Sequence, residues 1–133
     1  VTIGHEFAGT VAEIGDGVEG FKVGDPVTSE TTFEICGTCR YCKDGEYNLC
    51  SSRKGLGTAA DGAMAQYILA RAASCHHLPA GVTTRQASIT EAAACAVHGV
   101  SKATIAQGDI VLVLGPSASL SRRSSWLAAA ASS

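Results

Sequence analysis

The segment CGTCRYCKDGEYNLC, residues 36–50, contains four cysteines, with two residues between each of the first three and seven before the last. This spacing admits three uses: a metal site, a redox pair with additional thiols, or a disulfide-bonded loop. In a reducing compartment, thiols clustered in this way more often bind metal. Four thiolates complete the tetrahedral coordination of zinc and leave no position for a substrate. The segment therefore predicts a structural zinc site formed by Cys36, Cys39, Cys42 and Cys50.

The composition restricts the class of ligand. The chain has 133 residues and a formal net charge of −2, with ten basic and twelve acidic side chains. This balance offers no basic surface for nucleic acid or for an anionic membrane. No apolar run reaches the roughly 18 residues of a membrane span, and no secretory leader opens the sequence. We therefore predict a cytoplasmic protein with a small-molecule ligand, without nucleic-acid or membrane partners.

The first thirty residues and residues 62–70 have the character of short strands. Apolar runs at residues 7–14, 18–21 and 23–27 are separated by glycine and aspartate, which favour tight turns. Residues 62–70 follow the turn residues Asp61-Gly62. The cysteine segment between these regions lacks periodicity and predicts a loop that needs an external organiser. Together these features predict a mainly β barrel or sandwich lobe.

The pattern changes after Thr84. The alanine-rich sequence that follows places Ala87, Glu91, Cys95 and His98 at helical spacing, which predicts one or two helices. Residues 110–115 then form a continuous apolar run, typical of a parallel strand buried on both faces. Residues 116–133 are rich in serine and alanine and show no amphipathic pattern.

A second motif lies upstream of the cysteines. Gly4-His5-Glu6-Phe7-Ala8-Gly9 continues through Gly15 and Val18 to Val23-Gly24-Asp25-Pro26-Val27. Taken with the cysteine segment, this sequence resembles medium-chain zinc-dependent alcohol and polyol dehydrogenases of the sorbitol or threonine dehydrogenase branch. The resemblance covers residues 1 to about 115. It implies a GroES-like catalytic domain over residues 1–95, with the structural zinc loop at 36–50. It also implies the start of a truncated Rossmann nucleotide-binding domain over residues 96–133.

The resemblance also implies a catalytic zinc. In the family, the histidine at the position of His5 is a zinc ligand, and the glutamate at the position of Glu6 is a ligand or lies close to one. A Glu-Pro pair at the position of Glu91 supplies a further ligand or binds the zinc-bound water; here Ala92 replaces the proline. A neutral imidazole with anionic ligands leaves one tetrahedral position open for an alcohol oxygen. The implied reaction is hydride transfer from a secondary alcohol or polyol to NAD or NADP.

The remaining cysteines and histidines receive more ordinary interpretations. Cys75 and Cys95 are expected to be small buried residues rather than ligands. His76 and His77 are expected to form a solvated pair at the end of a strand. For His98, a place in the core and a place facing the cofactor both remain open.

Three departures from the family bear on activity. The family's first catalytic cysteine would precede Val1. Of the phosphate-binding pattern Gly-x-Gly-x-x-Gly, only Gly115 is retained as a weak cofactor contact, because Pro116 begins a Pro-Ser-Ala-Ser-Leu sequence. Residues 116–133 have the character of a reading-frame slip, and most strands of a nucleotide-binding domain are missing. We therefore expect an incomplete enzyme with little or no turnover, whose complete form could be a homo-oligomer. The alternative is a non-catalytic zinc-binding module stabilised by the four cysteines.

Overall fold

A computed structural model describes residues 1–113 of the chain. As predicted, strands are the most numerous regular elements of these residues, with five short strands and three helices. They divide into two compact units, residues 1–88 and the residues from 89 onwards. The strands are β1 Ala8–Thr10, β2 Pro26–Ser29, β3 Thr32–Glu34, β4 Lys54–Gly55 and β5 Cys75–His77; the helices are α1 Arg40–Lys43, α2 Thr84–Ala87 and α3 Thr90–Ser101, with 3-10 turns at Tyr47–Leu49 and Ala72–Ser74.

The first unit contains two small antiparallel sheets. In the larger sheet β2 lies between β1 and β5, with Val27 opposite both Gly9 and His77. The smaller sheet pairs β3 with β4, with Thr32 opposite Gly55. The β3–β4 pair flanks residues 36–50, and it therefore holds both ends of the cysteine segment.

The core of the first unit is small and partly polar. Its buried apolar residues are Val27, Cys50, Leu56 and Ala87. Ser74 is 1% exposed, and its hydroxyl donates a hydrogen bond to the Thr32 carbonyl at 3.1 Å. This bond satisfies a buried polar group that would otherwise destabilise the fold.

Capping and charged side chains mark the ends of the helices. Thr83 caps α2 through its hydroxyl, which accepts a hydrogen bond from the Gln86 amide, and Gln86 bonds back to the Thr83 amide in a capping box. In the second unit, α3 carries Glu91 in its first turn and His98 in its last, in agreement with the helix dipole. The prediction of one or two helices after Thr84 is confirmed, and the break at Ser88–Ile89 makes two.

Several predicted strands are absent from the described residues. Residues 18–21 and 62–70 form no strand. Instead, the amides of residues 62–64 donate hydrogen bonds to the carbonyls of residues 2–4. Residues 110–113 also form no strand, and Ile110 and Leu112 are exposed. A parallel strand requires neighbouring strands, and none lies beside residues 110–113 within the described part of their unit. Leu114, Gly115 and the proposed frame slip over 116–133 lie outside the described residues.

Within residues 1–113, no helix has the length and apolar character needed to cross a membrane.

Candidate metal centres

The four cysteines of residues 36–50, which we call the four-cysteine lobe, converge on one point. Their sulfur atoms all lie within 4.8 Å of one another. The Sγ separations are 3.5 Å for Cys39–Cys42, 3.6 Å for Cys36–Cys50 and 3.9 Å for Cys36–Cys42. A tetrahedral zinc with bonds of about 2.3 Å places its sulfur ligands about 3.8 Å apart. The cysteine positions therefore fit zinc.

These distances exclude a disulfide in this arrangement. A disulfide requires a sulfur separation of about 2.05 Å, and all six cysteines are free thiols. The prediction of a metal site, made from the spacing alone, agrees with the geometry.

Local structure explains why the spacing works. Helix α1 begins directly after Cys39, and its single turn brings the Cys42 sulfur back towards the Cys39 sulfur. The Cys39 amide donates a hydrogen bond to the Cys36 sulfur at 3.3 Å, which folds the first three cysteines into a knuckle. The 3-10 turn Tyr47–Leu49 then ends at Cys50, the buried member of the set.

The electrostatic environment differs among the sulfur atoms. Hydrogen bonds from the backbone amides of Thr38 and Cys39 lower the pKa of Cys36 to about 6. Desolvation and the neighbouring Cys39 thiol raise the pKa of Cys42 to about 12. Cys36 is therefore a thiolate at neutral pH, whereas Cys42 gives up its proton when metal binds.

Tyr47 attaches the four-cysteine lobe to the larger sheet. Its hydroxyl donates a 2.7 Å hydrogen bond to Glu30, directly after β2, and this bond raises the pKa of Tyr47. The other oxygen of Glu30 accepts a 3.2 Å bond from His76 on β5. His76 and His77 are half exposed, as expected of a solvated pair, yet both have partners, because His77 stacks on Phe21 and donates to the Gly20 carbonyl.

Arg53 provides a second attachment, just after the lobe. Its guanidinium donates 2.8 Å hydrogen bonds to the hydroxyls of Thr32 and Thr31. Sequence reasoning missed both this contact and the Glu30–Tyr47 pair. The only signal was the presence of polar side chains on either side of the cysteines, and that signal does not specify pairing.

The predicted catalytic ligands fall in both units. His5 and Glu6 lie in the first unit, between residues 2–4 and β1, and both are exposed. Glu91 lies in the second unit, where it accepts a 3.6 Å hydrogen bond from the Cys95 thiol one helical turn later. Their joint role as zinc ligands stays a prediction.

Neither of the two remaining cysteines is fully buried, although the sequence predicted burial for both. Cys95 is exposed rather than buried, because α3 has no buried residue. Cys75 is partly buried, and burial raises the pKa of its thiol. Cys75 is thus less buried than the sequence predicted, and it lies outside the four-cysteine cluster.

Comparison with known families decides the relationship. Residues 1–80 match the alcohol dehydrogenase GroES-like domain. The chain belongs to this family. The GroES-like assignment confirms the resemblance drawn from the Gly4–Gly9 motif and the cysteine spacing.

Two curated relatives with similar sequences carry the names of polyol dehydrogenases. The chain is 59% identical over 116 residues to a sorbitol dehydrogenase of Halalkalibacterium halodurans, covering 87% of this chain and 34% of the relative. It is 49% identical over 117 residues to a D-arabitol-phosphate dehydrogenase of Enterococcus avium, covering 87% and 33%. The chain thus spans about a third of the length of these curated relatives.

Solved structures give the same result. 2R,3R-butanediol dehydrogenase from Bacillus subtilis is 34% identical with a TM-score of 0.80, covering 96% of this chain and 36% of that structure. A zinc-binding dehydrogenase from Sinorhizobium meliloti 1021, bound to NADP, is 32% identical with a TM-score of 0.86, covering 96% and 38%. The GroES-like fold predicted from sequence is therefore confirmed.

Proposed function

We propose that the chain is part of a zinc-dependent dehydrogenase that transfers hydride between a secondary alcohol or polyol and NAD or NADP. The proposal rests on the tetrahedral spacing of four sulfur atoms in a chain of the GroES-like family. The names of the sorbitol and arabitol-phosphate dehydrogenases support a polyol substrate. The NADP-bound neighbour supports a nicotinamide cofactor.

The four-cysteine lobe has a structural role in this proposal. Four thiolates fill the coordination of zinc, so a substrate oxygen has no vacant position there. What the metal organises is a segment with little core of its own, because Cys50 is the one residue of 36–50 that is buried. The lobe therefore supports the domain rather than the reaction.

The reacting centre is assigned to His5, Glu6 and Glu91. A neutral His5 offers a nitrogen lone pair and the two glutamates offer carboxylate oxygens, a donor set that suits zinc and leaves a position for the substrate. Zinc bound there would supply a Lewis acid that favours loss of the hydroxyl proton. The task of the chain's own residues is to hold the ligand atoms in fixed positions, since misplacement by about 1 Å can lower the rate of the reaction 100-fold.

We further propose that this chain has little or no turnover by itself. The sequence after Gly115 lacks the later glycines that admit a pyrophosphate to a helix N-terminus. Gly115 is then a weak cofactor contact at most. The nucleotide-binding region is assigned to residues 96–133, and the boundary after residue 95 stays a prediction.

Zinc stoichiometry tests the assignment. The wild-type chain should bind zinc at the four-cysteine lobe and a second, weaker zinc that is lost in His5→Ala. Cys39→Ser should remove the first zinc and Cys75→Ser should not, because Cys75 lies outside the cluster. His98→Ala is the matched control for His5→Ala, since His98 is also exposed.

The outcome separates the proposal from its alternative. One zinc per chain, unaffected by His5→Ala, would contradict the catalytic assignment and favour a non-catalytic zinc-binding module. A parallel titration with NADH and NADPH should detect weak binding or none. Tight binding would overturn the proposal that the phosphate site is impaired.

A further inference from the structure

The backbone just before His5 is held by a loop that follows the four-cysteine lobe. Residues 57–64 of this loop contact residues 2–4, and we call this arrangement the clasp. Both partners belong to the first unit. The clasp contains four hydrogen bonds of 2.7–3.0 Å: Thr2 N to Asp61 Oδ1, Gly62 N to Thr2 O, Ala63 N to Gly4 O, and Met64 N to Ile3 O.

The approach of the two backbones depends on glycine. A Cβ added at Gly57 would lie 2.4 Å from the Gly4 carbonyl oxygen, and a Cβ at Gly62 would lie 2.1 Å from the same atom. Both distances are far inside van der Waals contact, and the obstructing atom is backbone. Gly57 also has a φ of +72°, which disfavours a side chain independently of the contact. The clasp therefore cannot form as it stands with any other residue at either position.

The loop is held at its N-terminal end, which follows the four-cysteine lobe in the chain. Leu56 is 2% exposed, and its amide donates a 3.0 Å hydrogen bond to the Thr31 carbonyl. Just before it, Lys54 and Gly55 form β4 against β3. The chain therefore enters Gly57 from a fixed position, and the close approach of Gly57 to Gly4 restricts the position of Gly4.

We propose that Gly57 and Gly62, with Asp61, are positioning residues that fix the backbone presenting His5 to its metal. The inference rests on the proposed function of His5 as a zinc ligand. The His5 side chain is exposed, so burial contributes little to its position. Gly4 is the residue directly before it, and the carbonyl of Gly4 is the atom on which both glycines of the clasp converge. The clasp in this way connects the structural lobe to the proposed reacting centre.

Gly62→Ala tests the proposal, with Gly15→Ala as its matched control. Neither glycine has a left-handed backbone, but a Cβ at Gly15 meets no atom within 4 Å. We expect Gly62→Ala to keep the zinc of the four cysteines and to weaken the His5-dependent zinc about tenfold or more, as loss of supporting contacts commonly does. Gly15→Ala should change neither affinity. Competition with a chromogenic chelator measures both.

Asp61 provides a milder variant for the case in which Gly62→Ala fails to fold. Asp61→Ala removes the acceptor for the Thr2 amide without a steric clash, whereas Asp61→Asn retains an acceptor oxygen. We expect Asp61→Ala to weaken the His5-dependent zinc and Asp61→Asn to restore its affinity. A general loss of stability would lower the affinity of the four-cysteine zinc as well, so the ratio of the two affinities distinguishes positioning from folding.

The outcomes separate this inference from the proposed function. If His5→Ala abolishes the second zinc but Gly62→Ala and Asp61→Ala leave it unchanged, the inference is wrong and the function stands. If His5→Ala has no effect on zinc, the proposed function fails. In that case, the NMR chemical shift of the His5 amide reports whether the clasp positions the backbone at His5. Gly62→Ala should move this resonance, and Gly15→Ala should not. An unmoved resonance in Gly62→Ala would overturn the inference.

Discussion

Removing zinc from the four-cysteine lobe should unfold residues 36–50 and leave the β1–β2–β5 sheet in place. The reason is that the lobe contains little else to hold it. Cys50 is its one buried residue, and neither α1 nor the turn Tyr47–Leu49 has a buried side chain. Within residues 36–50, hydrophobic burial, the usual source of stability, is therefore nearly absent.

The magnitude follows from the same description. Ordering the backbone of this segment costs on the order of 15 kcal/mol at about 1 kcal/mol per residue. Turn hydrogen bonds, such as those from the Lys43 amide to Cys39 and from the Cys50 amide to Tyr47, contribute about 1 kcal/mol each. A structural zinc contributes about 10–16 kcal/mol. Without the metal, the ordered lobe is therefore disfavoured by on the order of 10 kcal/mol.

Hydrogen exchange with and without a strong chelator measures the effect. Amides of residues 36–50 should lose their protection when zinc is removed, whereas those of Val27 and Thr28 in the sheet should keep theirs. Trypsin should then cleave after Arg40 and Lys43. Cys39→Ser should reproduce the effect of the chelator.

One result would refute this reasoning. If the chelator removes the zinc while hydrogen exchange and tryptic cleavage within residues 36–50 stay unchanged, the lobe is stable without metal. The entropy cost of ordering the lobe would then be much smaller than the zinc contribution requires. Cys75→Ser is the control, since it removes a thiol that takes no part in the cluster.

Further predictions concern the attachment of the lobe and its pH dependence. Tyr47→Phe removes a 2.7 Å hydrogen bond to Glu30 and should lower the free energy of unfolding by about 1–2 kcal/mol in urea titrations. Glu30→Gln, which keeps an acceptor oxygen but removes its charge, should lose less, and an unchanged stability in Glu30→Gln would argue against a charge-assisted bond. Because the pKa of Tyr47 is raised on folding, this contribution is complete below pH 10 and is lost as pH rises through the folded pKa, so Tyr47→Phe should show a shallower alkaline decline. Because zinc binding requires all four cysteines as thiolates, protons compete with the metal, so zinc should be retained at neutral pH and released as the solution is acidified; retention that does not change with pH would contradict the assignment.

The cysteine spacing and the Gly4–Gly9 motif were sufficient to predict the family, the metal site and the mainly β fold. Coordination chemistry makes such prediction feasible, because four ligands close together in the chain can converge with only local turns. The helix after Ile89 was equally accessible, since alanine content and spacing act within a few turns.

Strands were harder to predict. Residues 62–70 and 110–113 have strand-like composition, yet neither forms a strand among the described residues. A strand is stabilised by hydrogen bonds to a neighbour, and composition does not say whether that neighbour is present. The pairing of Tyr47 with Glu30 escaped prediction for the same reason, because it joins separate elements.

By itself, the sequence determined which atoms can bind metal, because ligand chemistry resides in the side chains and their short spacing. Only the tertiary structure decided what holds those ligands in place. Thr2 and Asp61 are 59 positions apart, and nothing in either neighbourhood indicates that they meet. Gly57 and Gly62 could have been ordinary turn residues. They become positioning residues only because the folded chain brings the Gly4 carbonyl to within 2.4 Å of where a side chain would begin.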